Sequence, residues 1–469
     1  MVFNSVAFII FAVIFFAAWP ILARRSTSRW IFICVASLIF YGWWDWRYLP
    51  LMLATALVDF FAGLAMVRYP ARRKLILIIS ITSNLGVLCG FKYGAFIAET
   101  LNQLLGFAGA PTRIPVIDLV LPLGISFYTF HSMSYSIDVY HEELTPTKNI
   151  FHYLAFISMF PMLVAGPIVR GRQVLPQLEK WERPDMAKVW GGLRLVAAGY
   201  FKKMVIADNV AVAVNRAFDA PAANAGWLYW WIIAALFIIQ IYCDFSGYTD
   251  IARGLAKWMG YELPLNFDHP FFLAKNLRQF WTRWHISLAT WFRDYVYMPL
   301  DWRSRGEAPH RSLLITMALM GLWHGAAWTF VLFGLFHGVF MTLERVTRWP
   351  ERLGRFRFGV FLGWALMIAQ VLVSAVIFRS QSVLQAIDII RDLFVGPAAN
   401  WSAILSLGAI PLAAGAAATV LELNNTFVLT PRVIESSVYR ALEPALISLM
   451  VAAAIFLRGP GNQFIYFQF

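Results

Sequence analysis

One histidine stands in the middle of a long apolar run. Residues 313–336 read LLITMALMGLWHGAAWTFVLFGLF. If the run is one helix, His324 lies about 18 Å from its start at ~1.5 Å per residue, close to mid-span. An ionisable side chain at that depth is costly in hydrocarbon and points to a functional site. Gly321 and Gly325 flank it and would leave room for a substrate, while Trp323 and Trp328 could wall a cavity. The competing reading is a histidine bonded to a neighbouring helix as packing glue. Depth and the flanking glycines favour function. His337, thirteen residues on at ~100° each, would point away from His324 near the helix end, as an interfacial histidine does.

The second constellation is RQFWTRWHISLATWFRDYVYMPL, residues 278–300. As one helix it carries an apolar stripe (Phe280, Trp281, Trp284, Leu288, Trp291, Phe292, Tyr295). Beside it lie two polar stripes, Arg278, Thr282, His285 and Arg293, then Arg283, Ser287, Thr290 and Asp294. The segment is too polar to span lipid and too aromatic for a free loop. It either lies at the interface, where its arginines meet lipid phosphates, or folds into a polar cavity and presents His285 and the arginines to a phosphate-bearing acyl donor. In the second case Arg278, Arg283, Trp284, Ser287, Arg293 and Asp294 are candidate substrate contacts, joined by Asn266, Asp244 and Trp323.

Two further segments put polar groups at membrane depth. YCDFSGYTD (242–250) is expected to end an apolar span with two carboxylates, and LPLGISFYTF (121–130) interrupts an apolar run with Pro, Gly, Ser and Thr. Such breaks survive only when buried in protein or lining a cavity. No nucleophile elbow, Walker loop, HExxH or EF-hand pattern is present in the sequence. A histidine without an evident protein nucleophile fits general-base catalysis, in which an acceptor hydroxyl attacks an acyl donor directly. Imidazole suits that role because it titrates near neutrality.

The elements that must position these residues are membrane helices. Of 469 residues, 60% are hydrophobic and only 14% charged, with 20 Trp and 40 Phe, against about a quarter charged in a soluble globule. Apolar runs near spanning length cover residues 6–22, 30–44, 51–67, 75–91, 227–242, 313–336, 358–378, 401–421 and 441–457, with a shorter Pro-broken run at 151–169. These predict an all-α integral membrane fold of roughly ten to twelve spans in one domain, with re-entrant or interfacial pieces. The first run lacks a preceding positive region and a cleavage pattern, so it is expected to remain as a span.

The net charge of +13 sits in short stretches between apolar runs, which is the positive-inside pattern rather than a nucleic-acid surface. Arg24, Arg25 and Arg29, Arg68 to Lys74, and the basic stretch 170–203 mark the cytoplasmic side. The aromatic turn 41–50 (YGWWDWRYLP) marks the outer face and places the N-terminus outside. Three cysteines, each within an apolar segment, predict neither a disulfide framework nor a metal site.

At these residues the sequence resembles the membrane-bound O-acyltransferase family, in its bacterial branch of alginate O-acetylation and teichoic-acid D-alanylation proteins. The resemblance is carried by YCDFSGYTD (242–250), Asn266-Phe267 with Pro270, FWTRWHISLATWFRDYVYMP (280–299) and GLWHG (321–325). Further matches are 121–130 with Tyr135 and Asp138, FPMLVAGPIVR (160–170), Lys203 with Ala207-Asp208, and FIYFQF (464–469). It implies a many-helix fold around a central tunnel, with His324 catalytic and His285 in the same core. It also implies an acyl donor from the cytoplasm, acetyl-CoA or an acyl carrier, with no bound cofactor.

By the same resemblance, the acyl group crosses a bacterial inner membrane, and a periplasmic acetyltransferase partner, with the polysaccharide synthesis and secretion complex, completes O-acetylation of an alginate- or cellulose-type polymer. The sequence departs from the family where Pro299-Leu300 continue as Asp-Trp-Arg rather than Gly-Gly, and at His131, where an acidic or amide residue is common. Two other functions use the same residues: a proton-coupled transporter or flippase with a histidine relay, and a non-catalytic scaffold subunit. Lack of repeat symmetry weighs against the transporter.

Overall fold

The first apolar run folds as read, α1 (Val6–Leu22), with Ser5 capping it by accepting a hydrogen bond from the Phe8 amide at 3.1 Å. The computed structural model describes residues 1–110, 112–220, 225–268, 271–427, 431–462 and 464–465; Pro270 and residues 466–469 of the terminal motif lie outside them. Every regular element among the described residues is a helix, and the chain divides into two compact units.

The first unit comprises Met1–Leu193 and Ala252–Pro264. After α1 come α2 (Ser26–Asp45), α3 (Leu49–Arg68), α4 (Arg73–Leu88), α5 (Gly94–Phe107), α6 (Ile125–Tyr140), α7 (Ile150–Ser158), α8 (Phe160–Leu163) and α9 (Gly171–Glu179). Helix α6 is buried along nearly its whole length, and α3, α4, α7 and α9 pack against it. Its hydroxyl-rich sequence needs polar partners there. Asp59 of α3, fully buried, accepts from Ser136 of α6 and from Asn84 of α4, each at 2.7 Å, and from Ser80. The polar break at 121–130 is therefore buried in protein: Gly124 turns the chain into α6 at φ +72°, where a Cβ would meet the Leu163 carbonyl at 2.6 Å. His131 is completely buried in the same helix.

Helix α10 (Met186–Tyr200) leads into the second unit, Arg194–Ile251 and Leu265–Phe469. There follow α11 (Asp208–Asp219), α12 (Trp227–Met259), α13 (Leu277–Trp281), α14 (Ile286–Phe292), α15 (Met298–Arg303), α16 (Pro309–His324), α17 (Trp328–Thr347), α18 (Trp349–Leu353), α19 (Arg357–Arg379), α20 (Val383–Val395), α21 (Trp401–Leu405), α22 (Ala409–Phe427), α23 (Pro431–Ile434) and α24 (Ser437–Phe456). Helix α12 contributes its residues up to Ile251 to this unit.

Among the described residues, six helical stretches are long and apolar enough to cross a bilayer: Ser26–Arg68, Pro70–Phe107, Trp227–Met259, Trp328–Thr347, Arg357–Arg379 and Ser437–Phe456. Val13, Ile14, Ile21, Phe358, Val438 and Phe456 are more than half exposed, as side chains facing lipid are. The exposed Trp43, Trp44 and Trp46 form the aromatic turn. The chain is thus an all-helical, membrane-embedded protein.

Several expected elements differ. Residues 313–336 are two helices, and 401–421 break at Gly408, φ +92°, into α21 and α22. Residues 151–169 hold only the short α7 and α8. The motif 242–250 does not end a span but lies inside the 33-residue α12. Arg29 is not a free cytoplasmic charge: it is buried and donates to the carbonyls of Ala23 and Leu178, both at 2.7 Å.

Candidate active site

His324 is the last residue of α16. Gly325 and Ala327 are extended (φ −170°, ψ 157° and φ −148°, ψ 155°), and the chain then reverses into α17. The two helices run back along each other at glycine contacts. A Cβ on Gly321 would sit 2.2 Å from the Phe330 carbonyl and 2.9 Å from the Gly334 amide; one on Gly334 would sit 2.1 Å from the Met317 carbonyl. A Cβ on Gly325 would fall 2.1 Å from the Phe330 ring. These glycines do not leave room for a substrate, as their spacing suggested; they let two backbones touch. His324 sits at the tip of a helical hairpin rather than halfway along a span. The same reversal corrects His337, which is buried and returns toward His324 instead of sitting at an interface.

His285 is held by a different device. The expected single helix over 278–300 is interrupted after α13, and His285 adopts φ +44°, ψ 51° immediately before α14. A non-glycine residue in that region costs roughly 1–2 kcal/mol. The surrounding hydrogen bonds offset the cost. Asn266 Oδ1 accepts from the Ser287 amide at 3.2 Å, from Ser287 Oγ at 2.9 Å and from His285 Nδ1 at 3.1 Å. The Ile286 amide donates to the Asn266 carbonyl, and the Asp268 amide to that of Arg283, both at 2.9 Å.

The Ser287 amide can only donate, so the atom facing it must be the Asn266 oxygen. His285 Nδ1 consequently carries a proton, and the neutral ring has its lone pair on Nε2. His285 is completely buried, with its ring centroid 4.5 Å from Phe245, 5.9 Å from Trp323 and 6.5 Å from His324.

A cavity of about 30 Å³ lies against His324, His337, Trp281, Trp284, Phe280 and Ser374, among others. That is room for a water-sized group. An apolar cavity of about 210 Å³ shares Ile238, Phe280 and Val371 with it and extends to Tyr242, Trp364 and Glu422. At its edge Tyr242 Oη donates to Glu422 Oε1 at 2.8 Å. Two imidazoles with their rings 6.5 Å apart, walled by aromatic side chains, can take and return a proton where water is scarce.

The structure thus brings together His285, His324, Asn266, Ser287, Trp284 and Trp323. The other expected contacts lie elsewhere. Asp244 pairs with Lys203 at 2.7 Å and accepts from the Ile465 amide at 2.7 Å; Lys203 also reaches Asp208 at 2.9 Å and the Asn462 carbonyl at 3.0 Å. That cluster pins the C-terminal residues, whose Phe464 packs on Tyr248 and on Phe245, the ring against His285. Arg278 and Arg293 are exposed, Arg293 bonding Asp294 at 2.7 Å, and Arg283 is partly buried. His337, Trp281 and Phe245 were not singled out as site residues from sequence. The GLWHGAA turn of small residues was the signal that could have revealed the hairpin and, through it, His337.

Known proteins share much of this sequence. The profile of the membrane-bound O-acyltransferase family matches residues 141–384. A Pseudomonas putida protein named probable alginate O-acetylase AlgI is 36% identical over 389 residues, 81% of this chain and 78% of the relative. A Helicobacter pylori peptidoglycan O-acetyltransferase is 30% identical over 84% of this chain and 80% of its own length. A Bacillus subtilis teichoic acid D-alanyltransferase is 30% identical over 55% of this chain and 67% of its own. With half the sequence under one family profile, and full-domain relatives at this identity, the chain belongs to the membrane-bound O-acyltransferase family and is an O-acyltransferase.

Proposed function

We propose that this enzyme moves an acetyl group from a cytoplasmic thioester, acetyl-CoA or an acyl carrier, across a bacterial inner membrane for O-acetylation of a secreted polysaccharide. The N-terminus then faces the periplasm, and a periplasmic acetyltransferase and the polymer's synthesis and secretion complex are the partners. The observation that carries the reading is the buried His285–His324 pair, ring centroids 6.5 Å apart. Relatives named for O-acetylation of alginate and of peptidoglycan support the acceptor class.

In the transfer, His324 removes the proton of the attacking hydroxyl. The oxygen–acyl carbon bond forms, the carbon–sulfur bond breaks, and the proton passes from His324 to the leaving thiolate. His285, fixed as the Nδ1–H tautomer by Asn266, assists through Nε2. Trp284 and Trp323 wall the reacting group, and Ser287 holds the Asn266 amide. Of the arginines, we assign the partly buried Arg283 to the donor phosphates. Arg278 and Arg293, on the exposed surface, would meet the donor as it arrives, with Asp294 orienting Arg293. Asp244 acts indirectly, by pinning the C-terminal residues that back Phe245.

The test is mass analysis of the exopolysaccharide from cells with and without the gene. Loss of acetyl esters from an otherwise unchanged polymer is expected. An unchanged ester content would overturn the acceptor assignment.

A further inference from the structure

The hairpin brings back a histidine that the sequence placed elsewhere. His337 is buried in α17 and lines the same small cavity as His324. Its ring is clamped: Phe333 lies 4.8 Å away, Trp281 packs edge-on at 5.2 Å, and Phe280 is parallel at 6.4 Å. The only polar contact among the described residues is Trp281 Nε1 to His337 Nδ1 at 3.3 Å. An indole N–H can only donate, so Nδ1 holds the lone pair and the neutral ring carries its proton on Nε2. This is the opposite tautomer to that of His285. No described residue accepts from Nε2–H, in a pocket lined, apart from His324 and Ser374, by aromatic and aliphatic groups, and the Ser374 hydroxyl donates to the Val371 carbonyl at 2.8 Å. A buried N–H of this kind requires an acceptor.

We propose that His337 is a further catalytic residue. Its Nε2–H donates to the acyl carbonyl oxygen held in the cavity beside His324 and stabilises the negative charge that gathers there when the acceptor oxygen adds. Trp281 is a positioning residue that fixes the donating tautomer. The inference rests on the reading that His324 handles the acyl group. The cavity's size, about 30 Å³, has room for a carbonyl oxygen. The donor is neutral and prearranged, as oxyanion-stabilising groups are, and removing one such donor costs about 10²–10³ in kcat.

The experiment compares His337→Phe, His337→Gln, Trp281→Phe and His324→Ala, each purified in nanodiscs and assayed together with the periplasmic acetyltransferase partner, with acetyl-CoA as donor probe and short alginate oligomers as acceptor. Melting temperature is measured alongside. His337→Phe keeps an aromatic ring among Phe280, Phe333 and Trp281 but loses the donor; kcat is expected to fall about 10²-fold with KM nearly unchanged. His337→Gln keeps an N–H near the Nε2 position and should be at least tenfold more active than the Phe variant, although it packs less well. Trp281→Phe should fall between them.

A purely structural His337 predicts the reverse order, Phe tolerated and Gln damaging, and that order would overturn the proposal. Wild-type rates in both His337 variants, with His324→Ala inactive, would likewise overturn it while leaving the broader reading intact. An active His324→Ala would instead overturn that broader reading.

Discussion

Replacing Gly321 with alanine adds one methyl group at the closest approach of α16 and α17. The new Cβ would lie 2.2 Å from the Phe330 carbonyl and 2.9 Å from the Gly334 amide, both backbone atoms of the opposite helix. Neither can swing aside as a side chain could. An ordinary contact of 3.4 Å requires α17 to recede by about 1.2 Å at this level. Overpacking of this kind costs about 1–3 kcal/mol. The shift falls one turn from His324, and a misplacement of roughly 1 Å near reacting groups can lower the rate about 10²-fold.

The assay is acetyl transfer by the purified variant together with thermal unfolding in the same detergent. Both the melting temperature and kcat should fall, and Gly334→Ala, whose Cβ would meet the Met317 carbonyl at 2.1 Å, should behave alike. If Gly321 instead spares room for substrate, the variant will melt like the wild type and show only a raised KM. That result would refute the packing account.

Asn266→Ala removes the acceptor shared by His285 Nδ1, Ser287 Oγ and the Ser287 amide, so stability should drop by about 1–3 kcal/mol and transfer by tenfold or more. Asn266→Asp, which keeps an acceptor oxygen, should retain more activity; equal rates for alanine and wild type would remove Asn266 from the tautomer argument. Lys203→Met leaves Asp208 and Asp244 buried without their shared cation, a change expected to cost about 3–5 kcal/mol. Limited proteolysis should then cleave near residues 457–465 sooner than in the wild type, and unchanged protection would show that the cluster does not hold the terminus.

Long apolar runs were legible because hydrocarbon imposes length and composition: Val6–Leu22 matches its expected bounds, and the runs at 51–67 and 358–378 fall inside α3 and α19. The grouping of His324, His285 and Asn266 was legible from residue type and motif. The hairpin was not, because residues 313–336 read as one near-continuous apolar run in which no proline marks the reversal and only the small residues of GLWHGAA signal it. Assigning one helix there carried two errors, His324 at mid-span and His337 at an interface. Likewise no glycine or proline signals the left-handed turn at His285, which tertiary hydrogen bonds impose. Lys203, Asp208 and Asp244 read as separate polar residues because their pairing joins positions far apart in the chain.

The central claim is that His324, at the hairpin tip, carries the acyl transfer. The direct measurement is single-turnover transfer of a labelled acetyl group from acetyl-CoA by purified protein in nanodiscs, comparing wild type with His324→Ala at matched folding. Loss of a general base predicts a fall of roughly 10²–10⁴-fold with the melting temperature nearly unchanged. Transfer by His324→Ala at the wild-type rate would contradict the account.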